Sequence, residues 1–112
     1  AMRDCQRVLA DADTKIKRLL AVGGGSKSAL WLKMLATNLD MEIALPEDGD
    51  FGGALGAARL GLCAATGANP ADVMTMPPIK TTISPDKNLS AAYSDQYARY
   101  RALYPAIEEA RS

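Results

Sequence analysis

Apolar residues recur along the first twelve positions at Met2, Cys5, Val8, Leu9 and Ala12. Steps of three and four are the signature of a helical stripe, so a helix is predicted over Met2–Ala12. It begins without a capping residue, and it reads as a helix cut in its middle. Asp13 and Thr14 break the stripe. Ile16 to Val22 then forms a short, mostly apolar run, the pattern of a strand buried on both faces in a parallel sheet. Gly23-Gly24-Gly25 makes a turn, and Ser26 or Ser28 can cap a second helix, predicted to run to about Leu39. On it Trp31, Leu35 and Leu39, with Met34 beside them, share one face, while Lys33, Thr37 and Asp40 share another.

A second strand is predicted over Met41–Leu45, stopped by Pro46. Glu47 to Asp50 form a polar loop, with Asp50 a candidate cap. The stretch FGGALGAARLGLCAATG then reads as a helix ending near Gly67. The order is α-β-α-β-α over residues 1–67, an α/β pattern whose two strands pair most simply in parallel. Residues 68–90 carry Pro70, Pro77, Pro78 and Pro85 and read as an extended connector. Residues 91–112 form a closing helix. Its Tyr93, Tyr97, Tyr100, Tyr104 and Ile107 fall on one stripe, read as a packing face, and Pro105 is expected to weaken or kink the last turn.

The 112 residues suit one domain, expected to bury about 60–70 % of its unfolded surface. Thirteen basic residues balance thirteen acidic ones, so the charge recruits neither nucleic acid nor an anionic membrane. No apolar run approaches the roughly 20 residues of a membrane span, and the first residues lack a signal peptide's apolar stretch. The expected location is cytoplasmic. Cys5 and Cys63 have no CxxC spacing and read as reduced thiols. With no histidine, zinc chemistry and a Ser-His-Asp triad lie outside this chain's repertoire.

Two glycine-rich stretches are the candidates for chemistry. The three glycines remove β-carbons where the chain turns into a helix, whose amides and dipole favour phosphate. Neither standard phosphate motif is present. GxGxxG would need glycine where Ser28 stands, and a P-loop would need it at Ser26 and Ala21. On spacing alone, a plain turn and a nucleotide contact both remain open. In the later helix, Gly52, Gly53, Ala54, Gly56, Ala57, Ala58 and Gly61 read as a surface for tight packing, with ligand contact as the alternative. Glu47, Asp48 and Asp50 read as solvated loop charges, with a magnesium site as the alternative. Glu108 and Glu109, adjacent on a helix, point apart and make no catalytic pair.

Taken together, GGGSKSALW and FGGALGAARLG resemble the C-terminal domain of the FGGY carbohydrate kinases. Within that family the local pattern is most similar to the branch acting on xylulose. The opening AMRDCQRVL resembles the end of the family's preceding long helix, and the tail ending in ALYPAI resembles its closing helix.

The resemblance implies part of an actin-like ATPase (ribonuclease H-like) domain. It further implies a kinase in which sugar and ATP meet in a cleft between two such domains, with Mg²⁺ assisting. In that scheme Gly24 and Gly25, with Gly23, lie along the adenosine side of ATP. Ala29 stands where glycerol kinase-like members carry an adenine-contacting asparagine, and Ser28 is a candidate polar substitute.

No aspartate here matches the family's catalytic base, and family members are several times longer. The expectation is therefore a C-terminal segment of a sugar kinase, inactive by itself, with D-xylulose favoured over gluconate, ribulose or glycerol. The rival expectation is a non-catalytic binding or assembly module reusing the fold. Open sheet edges would in either case favour self-association of the isolated chain.

Overall fold

The computed structural model describes residues 1–47, 49 and 52–111. The predicted cap Asp50, the acidic side chains Asp48 and Asp50, and the first residue of the predicted third helix, Phe51, lie outside the described residues. Helix α1 spans Met2–Asp11, strand β1 Leu19–Leu20, helix α2 Ala29–Leu39 and strand β2 Ile43–Pro46. Helix α3 spans Gly52–Thr66, α4 Pro70–Val73, strand β3 Ile79–Ile83 and helix α5 Ser90–Arg111. A 3₁₀ turn over Gly24–Lys27 leads into α2, and another over Lys87–Leu89 leads into α5.

The sheet order is β1-β2-β3. β1 and β2 run parallel, with Leu19 opposite Ile43 and Leu20 opposite Ala44. β3 returns antiparallel to β2, with Ile83 opposite Ile43 and Thr81 opposite Leu45. The segment expected to be an extended connector therefore belongs to the sheet, and it also carries the single turn α4. β2 ends at Pro46, which is itself its last paired residue, opposite Ile79 across a register irregularity. Proline has no N–H to give a ladder, which confines it in sheets to edges and irregularities.

Side chains alternate across a strand, so Leu19, Ile43 and Ile83 share one face with Ala21, Leu45 and Thr81. On that face sits α2. Leu32, Ala36 and Ile43 form the buried cluster, with Leu19, Ala21, Leu35, Leu45 and Ile83 packed around it. The inward stripe of α2 is thus Leu32, Ala36 and Leu39, and Trp31 and Met34 stand largely outside it.

Thr37, expected on the polar side, is 3 % exposed. Its hydroxyl donates to the Lys33 carbonyl at 2.7 Å and accepts from the Asp86 amide at 3.0 Å. That second bond ties the end of the β3 segment to α2. Two further contacts reinforce the tie, Lys33 Nζ to the Ser84 carbonyl at 3.0 Å and an ion pair between Lys87 and Asp40. Asp40, in the left-handed region at φ 50°, terminates α2.

α1 and α5 meet outside this core. Gln6 donates to the Leu39 carbonyl at 3.0 Å, Arg3 lies 4.7 Å from the centre of the Tyr97 ring, and the Tyr97 hydroxyl donates to Asp4 at 2.8 Å. Only the first half of the tyrosine stripe packs. Tyr93 and Tyr97 are half-buried, whereas Tyr100, Tyr104 and Ile107 are exposed. α5 runs through Pro105, which sits inside the helix and does not end it.

The whole presents 8169 Å² to solvent, where a compact chain of this mass would expose roughly 5,900 Å². Its radius of gyration is 18.3 Å, against about 13 Å for a compact chain of this length. Burial is nearer half of the unfolded surface than the expected two thirds.

This packing has two testable consequences. Thr37→Val keeps the shape but leaves the Asp86 amide without its acceptor, and chemical denaturation should register a loss of about 1–3 kcal/mol. The hydrogen bond from Tyr97 holds the Asp4 carboxyl below its ordinary value and holds the Tyr97 hydroxyl above its own. The Asp4 contribution is present above about pH 4 and is lost as pH falls through the lowered pKa. The Tyr97 contribution is present below about pH 10 and is lost as pH rises through the raised one. Urea midpoints of the native chain and of Tyr97→Phe, compared across pH, should converge at both extremes and differ between them.

Candidate functional site

Parallel strands in α/β sheets offer ligands their carboxyl ends, because the loops leaving those ends splay apart there. Here β1 and β2 end side by side. The chain leaves β1 through Ala21 and Val22 into the three glycines, and Ala21 still donates to the Ala44 carbonyl at 3.0 Å. The Gly23 amide donates to the Gly49 carbonyl at 2.9 Å, joining the loops that leave the two strands.

Gly23 stands at φ 82°, in the left-handed region that favours glycine. This one residue reverses the chain sharply enough for the turn Gly24–Lys27 to begin. Ser26 locks the turn, its amide and its hydroxyl both donating to the Gly23 carbonyl, at 3.0 and 2.7 Å. Ser28, and not Ser26, caps α2: its hydroxyl oxygen accepts from the Trp31 amide at 3.2 Å. The Leu32 amide is taken by the Ser28 carbonyl at 3.0 Å. The amides of Ala29 and Leu30 are left without an acceptor among the described residues.

The five residues singled out in the sequence thus fall on one continuous surface. Gly23 shapes it. Gly24 and Gly25 form its crest, with open space over Gly24, where an added β-carbon would meet nothing within 4 Å. At Gly25 such a carbon would meet only the Trp31 indole, at 3.8 Å. Ser28 and Ala29 close the surface at the start of α2. Ser28 has spent one lone pair on its cap, so what it can still offer a ligand is its hydroxyl hydrogen and the remaining lone pair.

Beside the turn lies an apolar cavity of about 210 Å³, lined by Val22, Pro46, Gly49, Gly52, Leu55 and Arg59, among others. Arg59 is anchored at its mouth by donating to the Thr75 carbonyl at 2.8 Å. Spacing gave no warning of Arg59 or of this cavity, which depends on how α3 and residues 77 and 78 close over the strand ends. Over Gly52 lies Val22, which a β-carbon there would meet at an ordinary contact distance of 3.5 Å. The tight packing expected of Gly53, Gly56 and Gly61 has no partner within the described residues, and open space lies over all three.

The surface offers backbone, two unclaimed amides and an apolar recess, which together suit a ligand with a flat apolar part and an anionic part. Among the described residues that form the turn and line the recess there is no carboxylate. Among the described residues no three His, Cys, Asp or Glu side chains come together to hold a metal ion. No helix among them is long and apolar enough to cross a membrane.

Comparison with known proteins falls on this same region. The model of the FGGY family of carbohydrate kinases, C-terminal domain, matches residues 1–65, which include both glycine-rich stretches. The chain is 32 % identical over 111 residues to xylulose kinase of Escherichia coli (strain K12), covering 96 % of this chain and 22 % of that protein. It is 34 % identical over 98 residues to the L-xylulose/3-keto-L-gulonate kinase of the same strain, covering 85 % and 19 %. Among solved structures, a xyloylose kinase from Brucella ovis superposes with a TM-score of 0.84 at 55 % identity, covering 96 % of this chain and 23 % of that one. The chain spans about a fifth of the length of the curated relatives it matches. On the strength of that match, with the glycine turn and the small-residue helix both inside it, the chain belongs to the FGGY family of carbohydrate kinases.

Proposed function

We propose that this chain is a C-terminal part of a sugar kinase and forms one wall of its nucleotide site. The carrying observation is the open crest at Gly24 and Gly25, at the carboxyl ends of two parallel strands, within the stretch that matches the family. In this reading the segment contributes to an actin-like ATPase domain. Residues 1–67 supply the α-β-α-β-α unit, 68–90 link it to the last helix while adding an edge strand, and 91–112 close it.

ATP lies with its adenosine side along Gly23, Gly24 and Gly25, and the start of α2 at Ser28 and Ala29 faces its polar groups. Glycine lets the ligand approach the backbone within van der Waals distance, and the unclaimed amides of α2 with the positive end of its dipole favour an anion. The γ-phosphate passes to a hydroxyl of the sugar. That transfer requires nucleophile, phosphates and metal in line, which is chiefly a matter of positioning. In this reading Mg²⁺ assists the transfer, bound with the nucleotide.

The sugar is read as D-xylulose, supported by the relatives named for xylulose. A relative acting on L-xylulose and 3-keto-L-gulonate lies at comparable identity, and the residues that choose the sugar belong outside this segment. The site is that of a cytoplasmic enzyme, with ATP and the sugar as its partners. Alone, the segment is read as inactive, because none of its aspartates matches the position of the family's catalytic base. Its excess of exposed apolar surface, including Leu60, Leu62, Leu103 and Tyr104, favours self-association of the isolated chain.

A pair of substitutions in the longer kinase separates fold from ligand. Gly23→Ala forces a β-carbon into the left-handed region and should cost about 1–2 kcal/mol in denaturant titration. Gly24→Val meets open space within the protein, so its melting temperature should stay close to native. If ATP lies against Gly24, however, the KM for ATP should rise at least tenfold while the KM for D-xylulose holds. An unchanged KM for ATP would remove the nucleotide from this turn.

A further inference from the structure

The structure carries one polar group at the crest that neither the turn nor the helix uses. Trp31, the chain's one tryptophan, sits in the first turn of α2 and is about half-exposed. Its backbone amide is taken by Ser28, but its indole Nε1–H has no hydrogen-bond partner among the described residues. The polar edge of the ring, Cδ1 and Nε1, is the part that borders Gly25, each atom 3.8 Å from where a β-carbon would project. Trp31 also lines the cleft between α1, α2 and α5, together with Met34, Leu35 and Tyr97.

We infer that Trp31 is a ligand-positioning residue of the nucleotide wall, its indole N–H donating to an acceptor on the nucleoside half of ATP. The inference rests on the reading that the nucleotide lies along Gly24 and Gly25, and it adds a side-chain contact to what was otherwise a backbone surface. A tryptophan N–H is a donor with no acceptor capacity, so it can only select a ligand atom bearing a lone pair. On the nucleoside such atoms are the ribose oxygens and the purine ring nitrogens. With the adenosine side of ATP along Gly24 and Gly25, the acceptors facing this donor are those of the nucleoside, and a bare phosphate chain supplies none of them. Trp31 therefore contributes to holding nucleoside phosphates over inorganic polyphosphate, and it contributes to binding without taking part in the transfer.

The experiment uses the longer kinase labelled with ¹⁵N-tryptophan, in which the indole signal lost in Trp31→Phe identifies Trp31. Titration with ADP should move that signal, and titration with tripolyphosphate should leave it in place. Calorimetry should show ADP binding weakened about 2- to 12-fold in Trp31→Phe, the range expected for one lost hydrogen bond. The KM for ATP should rise correspondingly while kcat stays native. Trp31→Tyr, with a differently placed donor, provides a second variant should phenylalanine impair folding. ADP binding at native affinity in both variants, with the indole signal unmoved, would overturn the role of Trp31 and leave the glycine turn as the contact. Native ADP binding in Gly24→Val together with an unmoved indole signal would overturn both.

Discussion

The packing of Leu32 and Ala36 of α2 onto Ile43 of β2 holds the rest of the chain in place. Ile43 is the residue through which all three strands register, paired on one side with Leu19 and on the other with Ile83. Ala36 is fully buried, and its small side chain lets the helix come down close to the sheet. Fixing α2 in this way fixes its first residue, and with it the direction in which the glycine turn must deliver the chain. The turn is then closed from below by the Gly23–Gly49 hydrogen bond, which also sets the spacing between the two strand-end loops. The position of the candidate site is thus a consequence of one helix-on-sheet contact plus one backbone bond.

Much of this was legible in the sequence, because the signals are local. Steps of three and four placed α1, and Ser28 supplied a cap of the expected kind. The apolar run from Ile16 to Val22, by contrast, marked β1 as longer and more buried than it is, since the strand is Leu19–Leu20 alone and Leu20 and Val22 are exposed. What else was not legible has a single root. Ile79–Ile83 sits among prolines and is short, and four of its five residues are exposed, so it carries no alternation that would mark it as a strand. It is held by pairing with β2, a contact more than thirty residues away in sequence. With β3 unmarked, the reason for Thr37 is hidden as well. A threonine on a helix usually signals a surface position, and only the return of the chain past α2 turns its hydroxyl into a buried acceptor for Asp86. Trp31 resembles a core residue on spacing alone for a related reason. Once Leu32, Ala36 and Leu39 occupy the inward stripe, a residue one position before Leu32 has to stand at the edge.

The tyrosine stripe makes the opposite point about periodicity. Its spacing predicts a packing face, and its first half behaves as one, with Tyr97 under Arg3 and bonded to Asp4. Beyond Tyr100 no described element reaches far enough along α5 to cover it. Periodicity reports which residues share a face. It does not report where the neighbouring element ends.

The glycines sharpen what the chain itself can and cannot explain. Gly23 and Gly67 are accounted for by backbone angles in the left-handed region, and Gly49 by a close neighbour at Pro46. Gly24, Gly53, Gly56 and Gly61 answer to neither demand, since their angles suit any residue and open space lies over each. In a helix interior a glycine costs about 1 kcal/mol relative to alanine, so three of them along α3 weaken a helix that packs no described residue against them. Their return has to come from contact with something else. In the proposed kinase the two groups take different partners. Along α3, bare backbone suits the close approach of another element of the longer protein. At Gly24 the bare backbone lies beside two unclaimed amides and an indole N–H, a polar setting that a packed helix would leave unsatisfied and a nucleotide would fill.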